Sequence, residues 1–390
     1  QIMRKFVASL FPKPELKDPW ADPIKARLIF VVPYFVYLVD SVLHRRAVES
    51  TYCVPPIAIG WSKSEGGMQF LYAHLWQYAR RDAAVYRRQV LDGVEDKCRI
   101  KLYRWFAVEG DFEKLDFSLL LQILTLVSMS TLFFYKNDGG ADYSIFRFLA
   151  EWSADSLTSK FLHLFKEEQR LVIGMMFSGN FLTSWGDSVY CMIAFELWFN
   201  MVYTDLLRTG KTAEAAHWRT CWPMALWIYG DDHIAHFPEY VYPYVVGCEY
   251  DRGSNADKPL ALSEWLHDAV NLSLKMSDCA VYRPTAGYPD PFLTYTRNGS
   301  IVRPGPKFLQ RRFVASEAPS DLLDKEPNAY PIALLPFRPI EDYYSRASTT
   351  VNSDTWAGYL MKLRGLAVDV AGSNGYAFTF LRYLHDYLAR

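Results

Sequence analysis

The sequence carries almost no net charge. Its 42 lysines and arginines stand against 43 aspartates and glutamates, so no global field draws it to nucleic acid, and a polyanionic partner would have to be held in a locally basic channel. Cysteine is scarce and scattered: none of Cys53, Cys98, Cys191, Cys221, Cys248 and Cys279 belongs to a C-x-x-C pair. That excludes a zinc ribbon, suits a reducing compartment and leaves the six to be read as core thiols. No secretory leader is visible, because Arg4, Lys5, Lys13, Lys17 and Asp18 break up the start. The first residue is Gln1 and not Met, so the chain reads as truncated at its N-terminus. One uncharged stretch runs for 19 residues, Phe117 to Tyr135. Gln122, Thr125, Ser128, Ser130 and Thr131 interrupt it and no basic cluster flanks it, so it is expected to be a buried helix and not a membrane span. Repeats and low-complexity linkers are also missing.

What is present is a large supply of core. The 390 residues are 51% hydrophobic and 16% aromatic, enough for two or three subdomains. ARLIFVVP reads as a strand, and EGGMQFLYAHLWQYARRDAAVYRRQVLDG as one or two helices stopped by Gly93. KLYRWFAVEGDF predicts a strand that delivers Asp111 at its end, followed by the Leu-rich helix. A polar loop over 178–183 leads to a long helix capped by Thr183 or Ser184 and ended by Gly210. LSEWLHDAVNLSL reads as a helix, FLTYTRNGSIV as an Asn-Gly hairpin and KFLQRRFV as a strand. Pro331, Pro336 and Pro339 mark a boundary before a helical C-terminal end. The expected class is α+β, with an antiparallel sheet assembled from distant strands and packed on helices.

The chemistry centres on ALWIYGDDHIAHF. If Gly230 and Asp231 form a two-residue hairpin turn, Asp231 sits at the tip and Asp232 starts the returning strand. Adjacent carboxylates repel unless cations neutralise them, and Mg²⁺, with oxygen ligands at about 2.1 Å, is the obvious candidate. Asp111 is the best further donor, since a two-metal site needs a ligand shared by ions about 3.5–4 Å apart. Such a site predicts phosphoryl transfer. His233 and His236, three apart on a strand, should lie on opposite faces and share no metal.

The ordered set resembles the right-hand RNA-dependent RNA polymerases of RNA viruses: D-x-x-x-x-D from Asp111 to Asp116, S-G-x-x-x-T-x-x-x-D-S from Ser178 to Ser188, and Y-G-D-D from Tyr229 to Asp232. These match that family's motifs A, B and C in order. KPELK (Lys13 to Lys17) and KARLIFVVP (Lys25 to Pro33) look like motif F, and KFLQRRF (Lys307 to Phe313) like motif E. Asp187-Ser188 where picornavirus-like enzymes carry Asn-Ser, the K-x-R pattern near the start, and LPFRPIEDYYSR (Leu335 to Arg346) look most like the partitivirus and picobirnavirus group, whose genomes are double-stranded RNA.

The resemblance implies a right hand: fingers with motif F over 1–105, palm motif A over 106–125, a fingers insertion over 126–170, palm motifs B, C and D over 171–305, and motif E with a helical thumb over 306–390. It implies template-directed RNA synthesis from ribonucleoside triphosphates, on an RNA template and product strand, for replication and transcription of a viral genome. Asp111, Asp231 and Asp232 would hold two Mg²⁺ ions, with Mn²⁺ able to substitute. Asp116, Ser178, Gly179, Thr183 and Asp187 would select the ribose through its 2′-hydroxyl. Two carboxylates facing one hydroxyl require a shared proton, or a nearby cation or donor. Lys17, Lys25 and Arg27 would bind the triphosphate, and Arg311 and Arg312 the RNA backbone. In motif D, Cys279 falls where a proton-donating lysine is expected, and Lys275 lies four residues earlier. A viral capsid protein is the implied partner, and the host cytoplasm, inside the virion, the implied location. A reverse transcriptase shares the palm, but it would want a bulky residue against the 2′-hydroxyl and gives no account of Ser178-Gly179 or Asp116. A catalytically inactive module would need dispensable carboxylates, and these are intact.

Overall fold

The computed structural model describes residues 7–13, 27–52, 54–61, 67–135, 141–163, 169–177, 180–222, 225–254, 257–297, 300–315, 334–348, 355–370 and 373–389. Its central sheet is antiparallel, with the order β6-β7-β3-β8. These strands are β3 (Trp105–Asp111), β6 (Leu226–Tyr229), β7 (Asp232–Pro238) and β8 (Ala280–Tyr282). Both faces are covered, so β3 is buried along nearly its whole length. Alternation sorts its side chains between the two faces. Phe106 and Val108 join a core built on α6 (Thr183–Arg208), whereas Ala107 joins a second core with Met68, Leu71 and Leu75 of α2 (Met68–Leu91).

The same alternation separates the two histidines. His233 is wedged between the rings of Phe112 and Phe195, at 5.1 and 5.0 Å. His236 faces the other side, where its Nδ1 bonds the Leu75 carbonyl at 3.1 Å. Burial pushes His233 down to about 4 and His236 to about 3, so both are neutral packing groups. His233 pairs across the sheet with Gly110, and a Cβ at Gly110 would lie 2.2 Å from its Nε2. The residue before Asp111 is glycine because an imidazole occupies the space above it.

A second sheet, β2-β1-β4-β5, contains β1 (Val7–Lys13), β2 (Arg27–Val31), β4 (Ser159–His163) and β5 (Gln169–Ile173). β1 and β4 run parallel; the other pairs are antiparallel. Phe30, Val32, Leu162 and Phe177 pack there with Val36 of α1 (Tyr34–Ser50). That helix was not anticipated. The uncharged stretch is not one helix: α3 (Leu115–Ser118) and α4 (Leu121–Ser130) are separated at Leu119 and Leu120, both extended, and the Leu120 N–H donates to Tyr190 Oη at 2.9 Å. Among the described residues no helix is long and apolar enough to cross a membrane. α5 (Ala141–Thr158) completes this part.

Beyond α6, α7 (Thr212–Cys221), α8 (Tyr242–Val246) and α9 (Leu260–Val270) share its core. β9 (Tyr295–Arg297) and β10 (Ser300–Arg303) form the expected antiparallel pair. KFLQRRFV departs from expectation: it is a hairpin of β11 (Lys307–Phe308) and β12 (Arg311–Ala315), turning at Leu309 and Gln310 with φ of 49° and 63°. Neither is a usual residue for left-handed backbone, so the turn carries no sequence signal. β13 (Leu334–Phe337) pairs with β12 at the sheet edge, where Pro336 costs no ladder bond. α10 (Ile340–Ala347), α11 (Trp356–Val370) and α12 (Gly375–Leu388) close on their own core of Tyr343, Leu363, Val370 and Leu381. Of the expected core thiols, Cys191, Cys221 and Cys279 are buried, Cys248 is half-buried, Cys98 is exposed, and Cys53 lies outside the described residues.

Gly110→Ala should destabilise the protein by about 1–3 kcal/mol through overpacking. The double substitution with His233→Ala should recover part of that loss in thermal melts. Strictly additive losses would end the steric account.

Candidate active site

The site is built by strand register. β3 and β7 pair so that Asp111 stands opposite Asp232, 121 positions later in the chain. The Phe112 N–H donates to the Asp231 carbonyl at 3.2 Å and locks the end of β3 to the turn. The turn is the expected two-residue one: Tyr229 pairs with Asp232, leaving Gly230 and Asp231 at the tip. Gly230 has φ +60°, and the space around it is open, so glycine is required there by backbone conformation and not by crowding.

α6 supplies the next layer. Ser188 Oγ accepts the Gly230 N–H at 2.8 Å and donates to the Ser184 carbonyl at 2.6 Å, tying the helix to the hairpin. The sequence reading quoted Ser188 within a motif and gave it no role. Asp187 is buried one residue earlier, and its Oδ1 has no hydrogen-bond partner among the described residues. Burial holds its carboxyl well above the ordinary range, reinforced by the charges of Asp116 and Asp231. Asp111 is pushed up to about 6, first by burial and then by Asp231. Asp111, Asp116, Asp187 and Asp231 therefore converge on one acidic centre from three separate chain segments.

Cation enters from the segment before β8. The Lys275 N–H donates to the Asp111 carbonyl at 2.8 Å, and its Nζ lies 3.6 Å from Asp111 Oδ2 while also pairing with Asp278. The hydrogen bond to Asp278 raises the Lys275 pKa. Cys279 is turned away: it is buried, its Sγ lies 3.7 Å from the Asp111 carbonyl, and burial pushes its thiol up to about 11. Lys275 is thus the motif D candidate that faces the acidic centre.

Thr183 does not cap α6 with its side chain. Its hydroxyl instead bonds the carbonyls of Phe177 and Asn180, at 2.7 and 2.9 Å, closing the loop before the helix. The Asn180 side chain accepts the Leu182 N–H at 2.8 Å, in the turn just before the helix.

No protein-family model matches the chain, and no curated protein matches it by sequence. Solved structures do. The RNA-dependent RNA polymerase 3Dpol of a sicinivirus superposes with a TM-score of 0.51 at 13% identity, over 98% of this chain and 63% of that one. The RNA-dependent RNA polymerase of a human picobirnavirus gives 0.52 at 10% identity, over 96% and 55%. Its insertion-loop deletion mutant gives 0.54 at 11%, over 98% and 57%. This chain has the right-hand fold of the viral RNA-dependent RNA polymerases. It spans between 55% and 63% of the length of those three proteins.

Within the right-hand polymerase fold, other expected contacts fall elsewhere. Arg311 is buried and paired with Asp369 of α11, so it ties β12 to the helical end and is not placed to meet an RNA backbone. Arg312 turns inward to the Gly305 carbonyl and to buried Glu109 on β3, 3.7 Å away. Glu109, which also accepts the Lys307 N–H, links the β11–β12 hairpin to the strand of Asp111, and sequence reasoning missed it. Lys17, Lys25, Ser178 and Gly179 lie outside the described residues. Arg27 is placed by its backbone alone, opposite Lys13 in the β1–β2 pair.

A carboxyl at about 6 in the folded chain, against an ordinary 3.8, binds its proton more tightly when folded. Its contribution to stability is present at low pH and is lost as pH rises through that window. In the presence of a chelator, Asp111→Asn should melt above the parent at about pH 8, and the gap should close on acidification towards pH 4. No gap at the higher pH would contradict the acidic-centre electrostatics.

Proposed function

We propose that this chain carries out template-directed RNA synthesis, joining ribonucleoside triphosphates to a growing 3′-end with release of pyrophosphate, as the polymerising part of a viral RNA-dependent RNA polymerase of the picobirnavirus-like kind. The reading rests on one observation above the others: register pairing sets Asp111 beside Asp231 and Asp232, with Asp116 and Asp187 behind them. In this reading 1–105 and 126–170 make the fingers, 106–125 and 171–305 the palm, and 306–390 the motif E hairpin with the thumb.

The residues fit a pair of Mg²⁺ ions. Asp111 and Asp231 bear on one centre, where burial first and the Asp231 charge second raise the Asp111 pKa, and a divalent cation would offset that repulsion. Among the described residues no three acidic, His or Cys side chains close into a cage by themselves. Mg²⁺ commonly takes one or two carboxylates and leaves the remaining positions to water and substrate phosphates. Asp111 and Asp231 would be the principal ligands and Asp232 an auxiliary one, with Mn²⁺ able to replace Mg²⁺. The ions would lower the pKa of the attacking 3′-hydroxyl and offset charge on the triphosphate.

The chain's own groups do the rest. Lys275, beside Asp111 and paired with Asp278, would offer a proton to the departing pyrophosphate. Asp187, whose protonated form is favoured by burial and by the charges of Asp116 and Asp231, would present a hydroxyl hydrogen beside Asp116, which would let two carboxyls face one ribose 2′-hydroxyl. Ser178, Gly179, Lys17, Lys25 and Arg27 keep the sugar- and phosphate-binding roles that the motif resemblance gives them.

The test is incorporation of ribonucleotides on a defined RNA template with Mg²⁺ or Mn²⁺. Asp231→Ala should reduce it by at least about a thousandfold, and Lys275→Ala should lower kcat more than KM. Equal activity in the Asp231→Ala protein, or preferential use of deoxynucleotides by the parent, would overturn the assignment.

A further inference from the structure

Beneath the loop that leads into α6 lies a buried polar network that none of the sequence motifs contains. Asp40 of α1 is 1% exposed. Its Oδ1 accepts from Ser153 Oγ of α5 at 2.9 Å, and its Oδ2 accepts from Asn180 Nδ2 at 3.0 Å. Ser153 gives its only proton to Asp40, so it accepts from His44 Nε2 at 3.0 Å, and His44 Nδ1 in turn accepts from Thr131 Oγ1 at 2.6 Å. At the upstream end of the same loop, buried Lys160 donates to the carbonyls of Leu157 and Met175. The loop is held at both ends: Met175 by Lys160 of β4, Asn180 by Asp40 of α1.

Burial of these groups is costly, and the cost falls on a carboxyl with no catalytic contact: burial pushes Asp40 up to about 6 against the pull of Ser153, Asn180 and Lys160. Asn180 uses both ends of its amide. Nδ2 goes to Asp40, and Oδ1 accepts the Leu182 N–H, fixing the turn that leads into α6. The helix that follows this turn carries Asp187 and, through Ser188, grips Gly230. The Trp185 Nε1 bond to Thr51, at 2.9 Å, is a second tie between α6 and the end of α1.

We propose that Asp40 is a positioning residue for ribose selection: through Asn180 it fixes the turn that leads into α6, and with it the place of Asp187 relative to Asp116 and the hairpin turn. The consequence for sugar choice rests on the polymerase reading; the clamp itself rests on the hydrogen bonds alone.

The geometry makes a reciprocal exchange the decisive test. Asp40→Asn turns one of the two acceptors at position 40 into a donor, so that either the Ser153 hydroxyl or the Asn180 amide N–H loses its acceptor, and Asn180→Asp sets two carboxylates against each other. Asp40→Asn combined with Asn180→Asp restores one donor facing one acceptor, while the carboxylate introduced at position 180 still accepts the Leu182 N–H. Backbone hydrogen exchange over residues 180–188 should rise at least about fivefold in each single variant and return to the parental rate in the double. The ratio of ribonucleotide to deoxyribonucleotide kcat/KM should fall by at least about fivefold in the singles and recover in the double. Single variants that do not fold, with a folded and selective double, would support the clamp equally. Unchanged protection and selectivity in the singles, or a double no better than its parents, would overturn it. If the parent synthesises no RNA while the exchange data behave as stated, the polymerase reading fails and the clamp stands.

Discussion

The antiparallel pairing of β3 with β7 is the constraint on which the rest depends. Seven consecutive register pairs, Trp105 with Pro238 through Asp111 with Asp232, fix where the strand ends and therefore where its last carboxylate stands. A slip of one residue would turn every side chain of β3 to the opposite face and send Asp111 away from the hairpin. The register is guarded by packing that admits no slip: Phe106 and Val108 fit the α6 core, Ala107 the α2 core, and Gly110 alone fits beneath His233. Hydrophobic burial remote from the chemistry holds like charges together that would otherwise separate.

Around that pairing the other elements act as braces. Tyr190, buried on α6, bonds the Leu120 N–H and the Val270 carbonyl, fastening the segment after Asp116 and the end of α9 to one helix. Glu109 and Arg312 join the motif E hairpin to the back of β3, and Arg311 with Asp369 carries the connection on into the helical end. The acidic centre is thus reached by rigid struts from each side, which is what positioning to fractions of an ångström needs.

Much of this was legible in the sequence, because the residues that carry chemistry sit at punctuation. Asp111 ends an apolar strand, Gly230-Asp231 makes a turn, Gly210 ends a helix, and each has a local signature. The antiparallel pairing of distant strands and the α+β class followed from the same signals. What escaped had no local signature. α1 starts after Pro33 with a run, YFVYLVDSV, that is apolar on most sides, and six of its seventeen residues are buried, Asp40 and His44 among them. The Leu309–Gln310 turn uses residues that ordinarily avoid left-handed backbone. Asp40 and Asn180 are 140 positions apart, and a contact at that separation leaves no trace in periodicity. The solved structures share 10–13% identity with this chain, so what has persisted between them is the backbone course that brings these segments together.

The bond from Gly230 N–H to Ser188 Oγ has a wider consequence. It makes the helix that bears Asp187 and the turn that bears Asp231 a single mechanical piece. If the chain polymerises RNA as proposed, fidelity and speed cannot then drift independently: a lineage that loosened its choice of sugar by tilting the helix would disturb the turn in the same movement. Change of substrate would have to come from resizing side chains at fixed backbone positions, a narrower path than shifting an element.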